Sequence, residues 1–291
     1  MLVIINKNKE QQTTNNKKQN YEYVGGCQMF NEYEVRKQMC EIGQRIYNRG
    51  MVAANDGNFS VKISDNEFIA TPTGVSKGFM NPSMLVKIDG DGKILASDGV
   101  HKPSSEIKMH LRVYKERPDI NAVVHAHPMY ATAFAIAGIP LTKPIMPEAI
   151  ISLGCVPIAK YGMPSTTEIP DAVAEFLQNY DAVLLENHGA LSYGTDLMNA
   201  YFKMESLEFY AQLLYLSTML GGPKELPANE VERLYDLRKA FNLPGRHPGN
   251  LCSSQDSICS TNTCDSSSSN EEKQLEEVIR EVTKRVLSKL G

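Results

Sequence analysis

The chain has 291 residues, of which 42% are hydrophobic and 22% are charged, an ordinary composition for a globular protein. Its formal net charge of −4 offers no basic surface for nucleic acid, and no apolar run is long enough to span a bilayer. The short apolar start of the chain is followed by no signal-peptide cleavage site, so we expect a cytoplasmic protein.

The first third of the chain predicts an extension, a helix and hairpins. Residues 1–28 are polar and rich in Asn, Gln and Lys, which predicts a disordered N-terminal extension. Residues 30–49 carry apolar side chains at helical spacing, and Gly50 ends this predicted helix. Residues 57–69 and 86–95 alternate and contain Asp-Gly turns, so we expect hairpin strands there. A second helix is predicted at 104–114.

The middle of the chain alternates between short strands and helices. Residues 120–128 read INAVVHAHP, which predicts a buried strand, and a helix is expected at 130–137. Further strands are predicted at 156–159 and 182–185, followed by a long apolar-striped helix at 196–220. Antiparallel strands covered by helices predict an α/β protein with a three-layer α/β/α sandwich and a central, mostly antiparallel sheet.

The composition changes after Gly222. Residues 225–242 predict a charged helix or a pair of turns, and residues 251–270 form a Ser-rich stretch that predicts a flexible linker. Residues 271–291 predict an amphipathic helix. The main domain is therefore expected at 29–250. The apolar stripe of the last helix comprises Leu275, Val278, Ile279, Val282, Val286 and Leu290.

The six cysteines are scattered, and their spacing resembles neither a disulfide framework nor a zinc knuckle. We therefore expect free thiols in a reducing compartment. The residues concerned are Cys27, Cys40, Cys155, Cys252, Cys259 and Cys264.

Three histidines and a glutamate point to a metal site. On a strand, residues two apart point to the same face, so His125 and His127 can approach one ion from the same side. His188 follows a second buried strand in DAVLLENHGAL, and the segment KPSSEI offers Glu106. Three imidazoles and a carboxylate suit a catalytic zinc site, although manganese or cobalt fits the same nitrogen ligands. The alternatives are strand histidines hydrogen-bonded in a core and, for Glu106, a carboxylate in a helix first turn.

Short polar turns accompany these residues. Small hydroxyls and amides at turns and helix starts bind anions well, although each dipeptide alone is most often a turn or an N-cap. Lys77 lies near the second of these turns and could add positive charge to the phosphate site, but we expect it to be an exposed, solvated lysine. The predicted phosphate-binding residues are Gly57, Asn58, Thr73, Gly74, Ser104 and Ser105.

Five motifs occur in a fixed order: GNFS at 57–60, TPTG at 71–74, PSSE at 103–106, HAHP and ENHG. In this order they resemble the class II aldolase/adducin family, and the resemblance covers residues 30–222. It implies one zinc ion per subunit and a homotetramer with sites between subunits. It also implies retro-aldol cleavage of L-fuculose 1-phosphate, or of L-rhamnulose 1-phosphate, to dihydroxyacetone phosphate and L-lactaldehyde. Glu106 would be the acid/base and would ligate zinc until substrate displaces it.

The resemblance leaves alternatives open. Aldolases of the family use a tyrosine from a neighbouring subunit as a proton donor, whereas this chain reads KPIMPEAI at 143–150, with Met146 and Pro147 where that residue is expected. Ribulose-5-phosphate 4-epimerases carry aspartate in place of Glu106, which favours the aldolase. A methylthioribulose-1-phosphate dehydratase and a non-catalytic adducin-like binding module are the other candidates, and the binding module would lack the metal ligands.

The apolar stripe of the last predicted helix is expected to bind a partner surface. Residues 271–290 hold five acidic and five basic residues, which disfavours binding to an anionic membrane. The arrangement is similar to the encapsulation peptides that direct enzymes into bacterial microcompartments by docking an apolar stripe on shell proteins. A helix that folds back on its own domain, or a coiled coil between subunits, is the competing interpretation.

Overall fold

A single eight-stranded sheet forms the middle layer of the protein. The computed structural model describes residues 23–24, 27–28, 31–249 and 251–252. In chain order the strands are β1 (Tyr23–Val24), β2 (Cys27–Gln28), β3 (Asn58–Ser64), β4 (Glu67–Ala70), β5 (Val86–Asp89), β6 (Ile94–Ala96), β7 (Ala122–Ala126), β8 (Ile158–Ala159), β9 (Ala182–Leu185) and β10 (Gly189–Gly194). The sheet has the order β6-β5-β4-β3-β7-β10-β9-β8, and β1 and β2 form a separate antiparallel pair. Within the sheet β8 and β9 are parallel, and every other neighbouring pair is antiparallel.

Helices cover both faces of this sheet. They are α1 (Glu32–Asn48), α2 (Ile107–Glu116), α3 (Met129–Ile136), α4 (Pro147–Ser152), α5 (Glu168–Ala174), α6 (Leu197–Met219) and α7 (Ala228–Ala240), with 3₁₀ turns at Lys77–Phe79 and Pro82–Met84. Apolar side chains of α1, α3 and α6 fill the core on one face, and those of α2 and α5 fill the core on the other. The predicted three-layer α/β/α sandwich is confirmed.

Strand β7 shows why the central sequence is a continuous apolar run. Ala122, Val124 and Ala126 face the core under α1 and α6, whereas Val123 faces the core under α2 and α5. Both faces of the strand are thus buried, so its sequence lacks the alternation of apolar and polar residues that a half-exposed strand shows. His125 shares the face of Val123 because side chains two apart point the same way. It therefore points towards the layer that contains α2.

The structure shifts several predicted elements. The helix predicted at 104–114 begins at Ile107 and runs to Glu116, so Ser104 and Ser105 precede it instead of forming its first turn. The strand predicted at 182–185 is followed by a tight hairpin and a further strand, β10, which was not predicted. The short helices α4 and α5 were not predicted, because six or seven residues are too few to display a helical period.

A disulfide joins Cys155 to Cys252, whose Cα atoms lie 5.6 Å apart. The prediction of free thiols is therefore wrong for these two residues, whereas it is confirmed for Cys40. The bond fastens the end of the described chain beside α4, where the side chain of His247 donates to the carbonyl of Ile150 at 2.6 Å. A separation of 97 residues gives no sequence signal for such a pair, since only the fold brings the two cysteines together.

Some of the predictions concern the two ends of the chain, which lie outside the described residues. The predicted linker beyond Cys252 and the amphipathic stripe at 275–290 lie outside them, as do residues 1–22 of the extension. Among the helices that the structure does describe, none combines the length and apolar character needed to cross a bilayer.

Candidate metal centre

Strand β7 presents the first two histidines. In the ladder, His125 lies opposite Asn58 of β3 on one side and opposite Leu191 of β10 on the other. His127 follows the end of β7, where its backbone amide donates to the carbonyl of Met51 at 2.9 Å. The backbone of His125 is therefore held on each side and that of His127 by one hydrogen bond, and a metal site requires such fixed ligands.

The third histidine sits in the hairpin between β9 and β10. The backbone amide of His188 donates to the carbonyl of Leu185 at 3.0 Å, and Asn187 adopts a left-handed conformation with φ 54°. A Cβ atom on Gly189 would lie 2.6 Å from the carbonyl oxygen of Ala126 and 2.6 Å from the ring of His127. Glycine is needed there because only a residue without a side chain lets the hairpin approach β7 so closely.

The three imidazoles form one cluster. Their ring centroids are 4.7 to 5.0 Å apart, and one nitrogen from each lies within 4.8 Å of the other two. The Nδ1 of His125 donates to the carbonyl of Ala190 at 2.9 Å, and the Nδ1 of His127 lies 3.4 Å from a carboxylate oxygen of Asp56. These contacts orient the rings so that their Nε2 atoms face one another, as outer-shell contacts do around metal ligands.

The donor set fits a divalent cation. The Nε2 atoms of His125 and His127 are 3.1 Å apart. Because the Nδ1 of His125 carries the proton that it donates to Ala190, the Nε2 of a neutral His125 is a bare acceptor. In the absence of a metal, the Nε2 of His127 donates its proton to that nitrogen; when His127 carries its proton on Nδ1 instead, both bare Nε2 atoms can bind one cation. Three imidazole nitrogens are ligands that zinc and its neighbours in the first transition row prefer.

Glu106 points into the cluster instead of capping its own helix. It occupies the N-cap position of α2, but its carboxylate accepts no hydrogen bond from the amides of that helix. One carboxylate oxygen lies 3.1 Å from the Nε2 of His188, and the other accepts from the side-chain amide of Asn58 at 2.6 Å and lies 3.5 Å from His125. The alternative of a simple helix-start carboxylate is therefore not what the structure contains.

The environment fixes the protonation of these groups. Burial lowers the pKa of His125 to about 3 and also lowers that of His127, so both imidazoles are neutral and able to bind a cation near pH 7. Burial alone would raise the pKa of the Glu106 carboxyl, but the positive charge that His125 and His188 carry when protonated and the hydrogen bonds from His188 and Asn58 outweigh it and hold the pKa below its ordinary value. The carboxyl is therefore ionised near pH 7, because it faces imidazoles and an amide donor.

Three polar loops meet beside this cluster: the first polar loop (residues 55–58), the second polar loop (residues 71–75) and the third polar loop (residues 102–105). The hydroxyl of Thr71 accepts from the amide of Phe59 at 3.1 Å, which holds the second loop to the start of β3. The amide of Thr73 donates to the carbonyl of Lys102 at 2.9 Å, which holds the second loop to the third. The six residues predicted to bind phosphate lie on these loops, with Gly57 and Asn58 buried, Ser104 half-buried, and Thr73, Gly74 and Ser105 exposed.

The prediction for Lys77 is wrong. This lysine is 1% exposed, and its ammonium donates to the backbone carbonyls of Asn55 and Val75 at 2.8 and 2.7 Å. Burial comes from packing of its 3₁₀ turn on α1. A Cβ atom on Gly43 would strike the carbonyl of Lys77, and one on Gly78 would strike the ring of Tyr47.

Sequence reasoning also missed residues behind the ligands. Asp56 lies next to the GNFS motif and contacts His127, so its place beside a motif was the available signal. His110 lies one helical turn after Glu106, and its Nδ1 is 2.8 Å from the hydroxyl of Ser60 in a fully buried pair. Burial lowers the pKa of His110 to about 4, so this imidazole is neutral. The i, i+4 spacing from Glu106 was its only signal.

Comparison with known proteins places this geometry in a family. The model of the class II aldolase and adducin N-terminal domain matches residues 37–215. A 3-oxo-tetronate 4-phosphate decarboxylase of Escherichia coli is 34% identical over 209 residues, which are 70% of this chain and 96% of that protein. An L-fuculose phosphate aldolase of Methanococcus maripaludis is 37% identical over 181 residues, 62% of this chain and 96% of that protein.

Solved structures agree with the sequence relatives. An L-fuculose 1-phosphate aldolase superposes with a TM-score of 0.65 at 30% identity, covering 71% of this chain and 96% of that chain. The L-fuculose-1-phosphate aldolase of Thermus thermophilus superposes with a TM-score of 0.57 at 32% identity, covering 67% of this chain and 98% of that one.

Proposed function

The chain belongs to the class II aldolase and adducin family, and we infer that it is a metal-dependent lyase whose first substrate is L-fuculose 1-phosphate. Cleavage between C3 and C4 would yield dihydroxyacetone phosphate and L-lactaldehyde, and L-rhamnulose 1-phosphate is the second substrate we propose. The observation that carries this proposal is the carboxylate of Glu106 facing three imidazoles beside three polar loops. A non-catalytic binding module has no use for that constellation.

The three histidines would hold one zinc ion per subunit, and Glu106 would be a fourth ligand until substrate displaces it. One ring nitrogen of each histidine lies within 4.8 Å of the other two, which supports this assignment. When bound, such a cation stabilises negative charge that develops on a carbonyl oxygen of the substrate. The protein residues do the remaining work of binding, orientation and proton transfer.

Glu106 is the acid/base that we propose for the carbon atom. In cleavage, the C4 hydroxyl loses a proton, the C3–C4 bond breaks, and its electron pair stays with C3, which then takes up a proton. One proton leaves oxygen and one arrives at carbon, so no external oxidant or reductant is needed. Glu106 is held by Asn58 at 2.6 Å and faces the metal centre, where it can deliver or remove the proton at C3.

The polar loops would bind the phosphate. Hydrogen bonds from Phe59 to Thr71 and from Thr73 to Lys102 bring the three loops together. The hydroxyls of Thr73, Ser104 and Ser105 on these loops suit a phosphate dianion, whereas the amides of Thr73 and Ser104 are already donated to backbone carbonyls within the loops. Asn58 contributes to both parts, because its backbone belongs to the first polar loop and its side chain holds Glu106.

Decarboxylation of 3-oxo-tetronate 4-phosphate is the second candidate. A relative with that activity is 34% identical over 70% of the chain. Loss of carbon dioxide leaves the same kind of electron pair on carbon for Glu106 to protonate, but it has no hydroxyl proton to remove. The segment KPIMPEAI, which lacks the tyrosine of the aldolases, is compatible with that simpler requirement.

One assay discriminates between these reactions. The zinc-loaded protein is incubated with L-fuculose 1-phosphate, L-rhamnulose 1-phosphate, L-ribulose 5-phosphate and 3-oxo-tetronate 4-phosphate, and dihydroxyacetone phosphate and carbon dioxide are measured. We expect dihydroxyacetone phosphate from the first two substrates. Release of carbon dioxide from 3-oxo-tetronate 4-phosphate, without cleavage of the other substrates, would show that the protein is a decarboxylase and not an aldolase. Epimerisation of L-ribulose 5-phosphate alone would show that it is neither.

We propose that the chain forms a homotetramer with active sites between subunits. Large apolar side chains along α6 support association, because Phe202, Phe209 and Tyr215 are 50%, 46% and 46% exposed in the single chain. Sedimentation of the purified protein would show a species of four chains. A monomer at micromolar concentration would contradict this assembly.

We also propose that residues 271–291 direct the enzyme into the lumen of a bacterial microcompartment. The apolar stripe of these residues and the Ser-rich segment before them support this role. Deleting residues 271–291 should leave kcat and KM unchanged and abolish co-purification with shells. A truncated enzyme that enters shells as well as the full chain would refute the targeting role and leave the catalytic proposal untouched.

A further inference from the structure

The ammonium of Lys77 lies inside the protein where two polar loops meet. It donates to the carbonyl of Asn55 in the first polar loop and to that of Val75 in the second. Both distances are short, at 2.8 and 2.7 Å, and the lysine is 1% exposed. A single side chain thus joins two loops through carbonyls whose residues, Asn55 and Val75, are 20 positions apart in the sequence.

Each joined loop leads directly to residues of the proposed site. Asn55 precedes Asp56, which contacts His127, and Gly57, whose φ of 72° sets the turn into β3. Val75 follows Thr73 and Gly74 in the second polar loop. Movement of the Lys77 ammonium would therefore change the separation between the two loops proposed to receive phosphate.

The backbone around Lys77 is also held in place, by packing against α1. Its 3₁₀ turn contacts α1 so closely that Gly43 and Gly78 have no room for a side chain. The ammonium consequently ties both loops to a long helix rather than to another loop. Loops held in this way are already ordered before the ligand binds, which reduces the conformational entropy that is lost on binding.

The charge of Lys77 has no direct partner of opposite sign. Among the described residues no carboxylate lies within ion-pair distance of it, and its two acceptors are neutral carbonyls. A buried ammonium without a counter-ion is costly, and burial lowers its pKa to about 8 while Asp56 and Glu106 oppose that shift. An anion bound between the loops would compensate the charge.

We propose that Lys77 is a positioning residue of the phosphate site: it holds the first and second polar loops at the separation that a phosphate group needs and supplies positive charge beneath it. This inference rests on the proposed function, because it assumes that the loops receive the phosphate of a sugar phosphate. It assigns to Lys77 no contact with the reacting carbon atoms.

The test compares Lys77→Met with Lys77→Arg and with Lys203→Met. Lys203 is a matched control because it is 6% exposed and its ammonium, 2.7 Å from Asp181, lies at the other end of β10 from His188. Binding of inorganic phosphate to the zinc-loaded proteins is measured by calorimetry, zinc content by mass spectrometry, and exchange of backbone amides in both loops by hydrogen–deuterium exchange.

We expect Lys77→Met to weaken phosphate binding and raise KM about tenfold to a hundredfold, with a smaller change in kcat. Zinc content should stay at the level of the unmodified protein, and the amides of both loops should exchange faster. Lys77→Arg keeps the charge and should retain most of the affinity. Lys203→Met should unfold more easily without changing phosphate affinity.

Two results would overturn the proposal. One is a folded, zinc-containing Lys77→Met protein that binds phosphate as tightly as the unmodified protein. The other is unchanged amide exchange in both loops. If the unmodified protein itself bound no phosphate, the proposed function would fail, and the exchange data alone would still decide whether Lys77 joins the loops. If Lys77→Met does not fold, the same comparison is made with Lys77→Gln.

Discussion

Replacing His188 with alanine should remove the bound metal and lower kcat/KM by more than about a thousandfold, because the cation contributes several kcal/mol to the transition state. His188 is the ligand that comes from the separate hairpin, so its loss leaves two imidazoles from β7 and its continuation. The hairpin itself should remain, since its backbone hydrogen bonds do not use the imidazole. Zinc content of the dialysed protein and the rate of dihydroxyacetone phosphate release are the two measurements.

His247→Gln is the matched control for this variant. It removes an imidazole far along the chain, one that donates to the carbonyl of Ile150 at 2.6 Å and touches none of the three clustered rings. It should lose some stability and keep both zinc and activity. A His188→Ala protein that binds zinc with unchanged affinity would contradict the assignment of the metal ligands.

Replacing Glu106 with glutamine should separate metal binding from proton transfer. The three imidazoles remain, so zinc should be retained, while kcat should fall by about a hundredfold to ten-thousandfold because the group that we propose exchanges a proton at carbon is gone. The sharpest readout is exchange of the hydrogen on the carbon of dihydroxyacetone phosphate in deuterated water. The unmodified protein should catalyse this exchange, and Glu106→Gln should not.

Glu186→Gln provides the control for this second variant. Glu186 lies two residues before His188, and its carboxylate accepts from the backbone amide of Tyr161 at 2.8 Å, outside the imidazole cluster. It should leave hydrogen exchange at near-normal rates. If Glu106→Gln still exchanged the carbon-bound hydrogen at the rate of the unmodified protein, another residue would have to be the acid/base.

The sequence was sufficient for the parts of the site that depend on local geometry. A strand places His125 and His127 on one side, and the order of the motifs brought His188 and Glu106 into the same hypothesis. The three-layer architecture followed from the alternation of short strands with amphipathic helices. The placing of His125 and His127 and the architecture are set by spacing over a few residues, which a single sequence displays directly, whereas His188 and Glu106 entered through the family resemblance of the motif order.

Features that depend on contacts between distant segments could not be predicted in this way. Lys77 looked like a surface residue because lysine usually is one, and it is buried only because Gly43 and Gly78 let its turn press against α1. Cys155 and Cys252 gave no spacing signal across 97 residues. The lowered pKa of Glu106 likewise depends on His188 and Asn58, which lie on other elements and arrive beside it only in the folded chain.

The central claim is that three imidazoles share one cation. Crystals of the zinc-loaded protein, with anomalous diffraction recorded at the zinc absorption edge, would test it most directly. One anomalous peak per chain should lie about 2.0–2.1 Å from an imidazole nitrogen of each of His125, His127 and His188. A protein saturated with zinc that shows no peak among these three rings, or shows its peak elsewhere, would contradict the account.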